Sequence, residues 1–215
     1  ILELSKVSSS AGIFTSRILI KFPLEEISSS VASGKIPNPS FFLNLYQTET
    51  TEVPTQYNLV AYAVSQSWVN GTGRALEPTS LNGFERGGVS WTYRNKVHQG
   101  TARIPSKDIS WTSQSLATDS NMIFSSVTGG GTWYTNYYGT QSFDNESSDL
   151  RMDITPVVRY LLTGSRANDG FILMRSGSEE TNATEFGNIK FFSRETNTVY
   201  QPRLEVVYDD SSFVT

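Results

Sequence analysis

The chain has 215 residues, a net charge of −4 at pH 7 and no cysteine, and only 18% of its residues are charged. The absence of cysteine excludes a disulfide scaffold and a cysteine-based zinc site, and the absence of a Lys/Arg run argues against a nucleic-acid partner. No apolar stretch approaches the roughly 18 residues of a membrane-spanning helix, so we expect no membrane insertion.

Short segments of alternating apolar and polar residues recur along the chain, separated by Gly, Ser, Asn and Pro, and they predict β-strands. One of them places Ile18, Ile20 and Phe22 on one face before Pro23 ends the strand. About ten strands without long helices predict an all-β fold, an antiparallel jelly-roll-like β-sandwich with one or two short helices. The predicted strands are 2–7, 17–24, 41–47, 57–68, 89–93, 141–146, 149–154, 170–175, 188–195 and 202–208.

Two segments predict short helices. In 155–164, Thr155 is the predicted N-cap, Pro156 takes the first helical position and Gly164 follows the end. The other segment, 23–34, presents Leu24, Ile27 and Val31 at helical spacing and stops at Gly34. Each is long enough to close an open end of the sandwich, and packing explains both.

Residues 1–215 are predicted to form a single domain with two long inserts, 69–88 and 99–140. The inserts are polar, rich in Gly and Ser, and long for connections within a compact domain. The glycine run 129–131 lacks the Lys-Ser/Thr of a phosphate-binding loop and predicts a flexible hinge. Because the chain opens without Met on a strand-like segment, we expect a truncated or processed N-terminus.

Aromatic residues in the inserts are the candidates for contact with a partner. Trp68 and Trp91 each close a predicted strand, and core packing explains them. The aromatic residues of the insert 99–140 that are candidates for contact have three possible roles: a protein interface, a sugar contact through stacked rings, or internal packing. The candidate contact residues are Trp111, Trp133, Tyr134, Tyr137 and Tyr138.

Catalytic residues are scarce, and we expect no enzyme activity and no cofactor. His98 is the only histidine, and no G-x-S-x-G motif accompanies it to place a nucleophilic serine. The carboxylate pairs Asp149 with Asp153 and Glu179 with Glu180 are ordinary in a chain with 21 acidic residues, although a glycosidase dyad stays possible.

Calcium is the one metal that the sequence leaves open. Asp209 with Asp210, or Asp144 with Glu146, could supply oxygen ligands. Neither pair has the spacing of an EF-hand loop, so we interpret all four as solvated loop residues and predict no metal site.

Several segments in order resemble the DNRLRE-type β-sandwich domain, which is related to some carbohydrate-binding modules. The order is an early SRILIKF strand, a tryptophan ending a central strand, a V-S-W step, a D-I-T segment before a short helix, a G-F-I-L strand and a C-terminal FSRE…PRLEVVY. The resemblance covers most of the chain but not residues 99–140. It rests on Ser16 to Phe22, Trp68, Val89 to Trp91, Asp153 to Thr155, Gly170 to Leu173 and Phe192 to Tyr208.

The resemblance implies a non-catalytic module, and this version, with GGGTWY in a long insert, looks more similar to structural proteins of large tailed bacteriophages. It therefore predicts a virion component, such as a neck, tail, fibre or capsid-decorating protein. Its partners would be other virion proteins and copies of itself, with host-surface polysaccharide as a further possibility. Virion proteins often join through sheet edges and terminal arms, and both chain ends could serve in that way. The alternative is a carbohydrate-binding module of a secreted bacterial protein.

Overall fold

The computed structural model describes residues 1–49, 53–71, 87–99, 102–112, 122–123, 129–144 and 149–210. The chain divides into two compact units, one made of residues 1–63 and 137–215 and the other of residues 64–136. Both predicted inserts fall mostly in the second unit. Glu146 and the C-terminal residues 211–215 of the predicted arm lie outside the described residues.

The prediction of an all-β sandwich is confirmed, since antiparallel strands dominate the described residues. Two short α-helices interrupt them, α1 (Glu25–Ala32) and α2 (Thr155–Leu162). The strands are β1 (Leu2–Ser9), β2 (Gly12–Thr15), β3 (Ile18–Ile20), β4 (Ser40–Leu45), β5 (Gln56–Val64), β6 (Tyr93–Asn95), β7 (His98–Gln99), β8 (Ala102–Arg103), β9 (Ile109–Ser110), β10 (Met122–Ile123), β11 (Trp133–Asp144), β12 (Leu150–Asp153), β13 (Phe171–Arg175), β14 (Gly187–Phe191) and β15 (Arg203–Val207).

Three sheets make up the first unit, with the orders β14-β1-β2, β12-β4-β15 and β11-β5-β13-β3. A bridge between Gln47 and Phe191 continues β14 beside the end of β4. The strands are antiparallel, and alternate side chains point into the interior as the pleat requires. The buried side chains include Leu4, Phe41, Leu43, Leu45, Leu59, Ala61, Leu150, Met152, Phe171, Leu173, Ile189 and Phe191.

Helix α2 forms where the sequence predicts it but begins one residue earlier, at Thr155 instead of Pro156. The N-cap is Ile154, and the carboxylate of Asp153 accepts the Thr155 N–H at 2.8 Å. The Thr155 hydroxyl instead accepts the backbone N–H of Phe41 in β4 at 2.8 Å. The helix is therefore attached to the neighbouring strand by the side chain that was predicted to cap it. Gly164, with φ +73°, ends the helix as expected.

Helix α1 begins one residue after Leu24, its N-cap, and has no buried residue of its own. Leu24 itself is buried, whereas Ile27 and Val31 of the predicted apolar face are only partly covered. Gly34, with φ +74°, follows the helix end.

Several local predictions differ from the structure, and the predicted strands 17–24 and 188–195 end early, at Ile20 and Phe191. Residues 89–92 are not a strand but a bend, closed by Ser90 N–H to Tyr93 O, because the chain turns back before β6. Strand β5 ends at Val64, short of Trp68. Strands β2 and most of β11 lie where the sequence predicts connections, and both have polar or Gly-containing sequences that weaken the strand signal.

The second unit contains short strand pairs, β6 with β9, β7 with β8, and β10 with the start of β11. The three glycines 129–131 are buried and all have positive φ. A Cβ on Gly129 would lie 2.4 Å from the carbonyl oxygen of Trp91, and Gly130 N–H donates to that oxygen. Close backbone approach thus requires glycine here.

Candidate functional site

Strands β1 and β2 form a hairpin whose end extends past the core. Val7 pairs with Phe14 and Ser8 pairs with Ile13, and a turn at residues 10–11 joins the strands. Every residue from 7 to 14 is exposed, including Val7 at 41% and Phe14 at 53%. Directly paired residues share a face of a sheet, so Val7 and Phe14 form one apolar pair in contact with solvent. We call residues 7–15 the hairpin tip.

Lys6 comes just before the hairpin tip and is completely buried. Its Nζ donates to the backbone oxygens of Glu179 and Thr184 and to Oδ1 of Asn182. The Phe186 ring centroid lies 5.3 Å from the same nitrogen. An ammonium group has three N–H donors, so all of them are satisfied. Lys6 thereby fixes the base of the hairpin tip to the segment 176–187, which we call the 176–187 loop.

Arg175 is the second buried cation beside the 176–187 loop. Its guanidinium donates to Glu185 O at 2.9 Å and Gly187 O at 3.0 Å. Burial lowers the pKa of Arg175, and the carboxylates of Glu179 and Glu185 oppose that shift. Burial likewise lowers the pKa of Lys6, with the charge of Arg175 as the second cause. Oxygens of the loop therefore satisfy Lys6 fully and Arg175 in part, since the buried Nε of Arg175 has no hydrogen-bond partner among the described residues.

Strand β2 forms an edge of its sheet, and among the described strands it pairs only with β1. Ser16 N–H donates to Ser5 O and Ser5 N–H donates to the Ser16 hydroxyl, so Ser5 and Ser16 face each other at a hydrogen-bonding position of the ladder. Such pairs alternate in an antiparallel ladder, so Phe14 bonds to β1 whereas Ile13 and Thr15 do not. The N–H and C=O groups of Ile13 and Thr15 therefore point away from β1, along the free edge.

The structure separates the five candidate contact residues by burial. Trp111 and Tyr134 are 5% and 6% exposed, and Trp133 is half-buried. The Trp111 indole N–H donates to Ser90 O at 3.1 Å, which holds the bend at 89–92. Trp111 and Tyr134 therefore contribute to packing within the second unit and present little surface to a partner.

Tyr137 and Tyr138 are exposed on opposite faces of β11. Tyr137 stacks on Tyr160 of helix α2, with ring centroids 4.6 Å apart and an interplanar angle of 23°. Tyr138 packs at a tilt against Tyr62 of β5, with centroids 6.0 Å apart. Gly139 lets β11 approach the end of β12, because a Cβ there would lie 2.3 Å from Asp153 O. Trp91, predicted to be packed, is 36% exposed.

The outer face of β12-β4-β15 has a polar and aromatic surface that sequence reasoning missed. The Arg151 guanidinium makes two hydrogen bonds of 3.0 Å to the Glu205 carboxylate and lies 3.9 Å from the ring centroid of Phe42. Asn44 donates to the same carboxylate at 3.0 Å. Hydrogen bonds from Arg151 and then Asn44 lower the pKa of Glu205. Alternating charges on β12 and β15 could have indicated this face.

The carboxylates weighed as a catalytic dyad all accept hydrogen bonds from the protein. Asp149 accepts the Gln47 N–H at 2.8 Å, and Asp153 accepts the N–H of Thr155, the first residue of α2, at 2.8 Å. Glu179 accepts the Asn58 N–H at 2.7 Å, and Glu180 forms a bidentate pair with Arg17. These acids thus have structural contacts.

Neither a cluster of metal ligands nor a membrane-spanning helix is found among the described residues. His98 lies in β7, where only the backbone is described. No three His, Asp or Glu side chains in the described ranges converge as a metal site would require. None of the helices that the structure describes is long and apolar enough to cross a membrane. The calcium hypothesis for Asp144 with Glu146 includes a residue outside those ranges.

Comparison with protein-family models, with curated proteins and with solved structures finds no match to this chain. The resemblance to the DNRLRE-type domain therefore stays a prediction from the sequence.

Proposed function

We propose that this chain is a non-catalytic structural component of a virion, such as a neck, tail, fibre or capsid-decorating protein of a tailed bacteriophage. It acts through protein–protein contacts. The observation that supports this proposal is the hairpin tip, which combines exposed apolar side chains with a strand edge that no other described strand pairs with. Exposed edges of this kind bind other chains by extending the sheet. The resemblance in the sequence supplies the expectation of a virion.

Mass spectrometry of purified virions, together with light scattering of the native protein, tests the proposal. We expect the chain in the particles, and we expect a Val7→Ser, Phe14→Ser double variant to be incorporated much less. Val199→Ser is the matched control, because Val199 is 70% exposed and lies outside the hairpin tip. Absence from virions, with the native protein a compact monomer, would refute the proposal.

A second candidate function is sugar binding, as a module of a secreted bacterial protein. The observation that favours it is the stacked pair Tyr137 and Tyr160, with Tyr137 exposed at the surface. Exposed rings of this kind can pack against the apolar face of a pyranose. With Tyr134 buried, the coplanar set of Trp133, Tyr134 and Tyr137 that a sugar platform would need is not formed.

A glycan array followed by polysaccharide retention tests the sugar hypothesis. We expect Tyr137→Ala to lower retention at least tenfold if that ring contacts sugar. Phe186→Ala serves as a control, since Phe186 is similarly exposed but contacts Lys6 instead. A blank array across polysaccharides would remove this candidate.

A further inference from the structure

Strand β2 differs from the other sheet edges of the first unit in its charge. Strands β12 and β15 carry Arg151 and Glu205, and the chain leaves β3 through Lys21 and Pro23. Charged residues and proline at an edge are the usual protection against pairing with another chain. By contrast, residues 7–16 contain neither a charged residue nor a proline. Within the part of the chain that the structure describes, the edge of β2 is therefore open to a further strand.

The geometry of that edge is self-complementary. The outward-pointing peptide groups belong to Ile13 and Thr15, two residues apart with Phe14 between them. In an antiparallel pair of two β2 strands centred on Phe14, Ile13 of each copy faces Thr15 of the other. Residues that face each other as a hydrogen-bonded pair exchange both N–H···O bonds, so four backbone hydrogen bonds form and no outward group of Ile13 or Thr15 is left over.

The side chains agree with the same arrangement. Phe14 of each copy would lie directly opposite the other as a non-hydrogen-bonded pair, the closer of the two kinds of antiparallel pair. Val7 pairs with Phe14 within each hairpin, so four apolar side chains would form one row across the joined sheet. Because residues 7–16 are uncharged, identical edges meet without like-charge repulsion.

We propose that two copies of this chain associate about a twofold axis by antiparallel pairing of their β2 strands, with Phe14 opposite Phe14. This proposal rests on the proposed function, whose partners include copies of the chain. Two four-residue strands bury far less than the roughly 1,000 Å² of a stable interface, so the isolated dimer is weak and forms with rising concentration. Repeated contacts within an assembly would strengthen it by raising the effective concentration.

Single cysteines test the pairing directly, because the chain contains no cysteine of its own. Opposed residues of a non-hydrogen-bonded pair have Cα atoms about 4.5 Å apart, within the range that a disulfide spans. Under mild oxidation we expect Phe14→Cys to form a disulfide-linked dimer at least tenfold faster than Ser10→Cys, which lies in the exposed turn. Equal rates for both variants would indicate random collision and overturn the proposal.

Sedimentation over a concentration series provides a readout without cross-linking. We expect the weight-average mass to rise above the monomer value of 23.9 kDa with concentration. Ile13→Pro should abolish the rise, since it removes an outward N–H that β1 does not use, while Ile13→Ala should retain most of it. A monomer at every concentration, or equal behaviour of the two variants, would overturn the proposal.

These outcomes are distinct from those of the proposed function. If the chain is found in virions but Phe14→Cys does not cross-link, the twofold pairing alone is refuted. Cross-linking of a chain that is absent from virions removes the virion assignment alone.

Discussion

Two regions of the first unit contain a cationic side chain that is hydrogen-bonded to oxygen atoms, one buried and the other exposed to solvent. Beside the 176–187 loop, Lys6 is completely buried and all three of its N–H donors meet oxygens. On the outer face of β12-β4-β15, Arg151 and Glu205 make a bidentate pair while their side chains are 54% and 38% exposed. In the second region water can replace the partner, and in the first it cannot.

The difference shows that similar sets of hydrogen bonds can contribute very differently to stability. Removing a buried cation leaves its oxygen partners without a donor, and each such group costs about 1–3 kcal/mol. Removing an exposed cation returns its partner to solvent at small cost. Burial, more than the number of hydrogen bonds, should therefore determine how strongly each of the following substitutions changes the free energy of unfolding.

Lys6→Met should have the largest effect. The variant keeps an unbranched apolar chain but leaves the backbone oxygens of Glu179 and Thr184 without the Lys6 donor, so we expect a loss of about 3 kcal/mol in the free energy of unfolding. Urea denaturation measures it. Lys35→Met, at an exposed position after helix α1, should change stability by less than about 0.5 kcal/mol. Equal effects of the two substitutions would contradict the importance of the buried cation.

Glu180→Gln should have an intermediate effect. Glu180 and Arg17 form a bidentate pair of 2.6 and 2.7 Å, with side chains only 10% exposed. The amide retains the shape but loses the charge, so we expect a loss of about 1–2 kcal/mol in unfolding free energy. Glu195→Gln is the matched control, because Glu195 pairs with Arg194 at an exposed position. A control as destabilised as Glu180→Gln would show that burial is irrelevant here.

Tyr57→Phe, unlike the substitutions above, should not lower the free energy of unfolding. The Tyr57 hydroxyl is buried and finds no hydrogen-bond partner among the described residues. Its removal at pH 7 should be neutral or stabilising, within about 1 kcal/mol in urea unfolding. A clear destabilisation at pH 7 would indicate a partner for that hydroxyl.

Tyr57 also predicts a pH dependence. Burial raises the pKa of Tyr57 from 10.0 to about 12. A raised folded-state pKa gives a stability contribution that is present below pH 10 and lost as the pH rises through about 12. Between pH 10 and about pH 12, the Tyr57→Phe variant should therefore unfold less readily than the parent, as followed by circular dichroism.

Glu205→Gln should have the smallest effect and its own pH signature. Hydrogen bonds from Arg151 and Asn44 lower the pKa of Glu205 below its usual 4.5. The contribution is therefore present above pH 4.5 and lost as the pH falls through the lower, folded-state pKa. The small difference in urea midpoint between variant and parent should shrink on acidification, and a difference that grows instead would contradict the assignment.

The sequence predicts the strands of the core because burial on one face imposes an alternation that is visible in the residues. Phe41, Leu43 and Leu45 of β4 illustrate this pattern. The hairpin tip has no core to face, and β2, with the sequence Gly-Ile-Phe-Thr, shows no alternation. The signal that could have found it is the small-residue stretch Ser8 to Gly12, which favours a turn between two apolar segments.

The candidate contact residues were predicted less well than the fold, because composition does not specify which side of a strand is covered. Trp111 and Tyr134 stand among polar residues just as Tyr137 and Tyr138 do, yet the first two are buried. The cation site at Lys6 also escaped prediction, since its partners lie more than 170 residues away and two of them are backbone oxygens. Such contacts leave no pattern along the chain.

The backbone conformation of the glycine run before β11 determines which chirality of amino acid could replace these glycines. Gly129, Gly130 and Gly131 have φ values of +94°, +80° and +97°, on the side of the φ axis that L-amino acids avoid. Amino acids of the opposite chirality favour positive φ for the same steric reason that L-amino acids favour negative φ. In a chain assembled by chemical ligation, a D-alanine at position 130 would match the backbone that an L-alanine would have to distort.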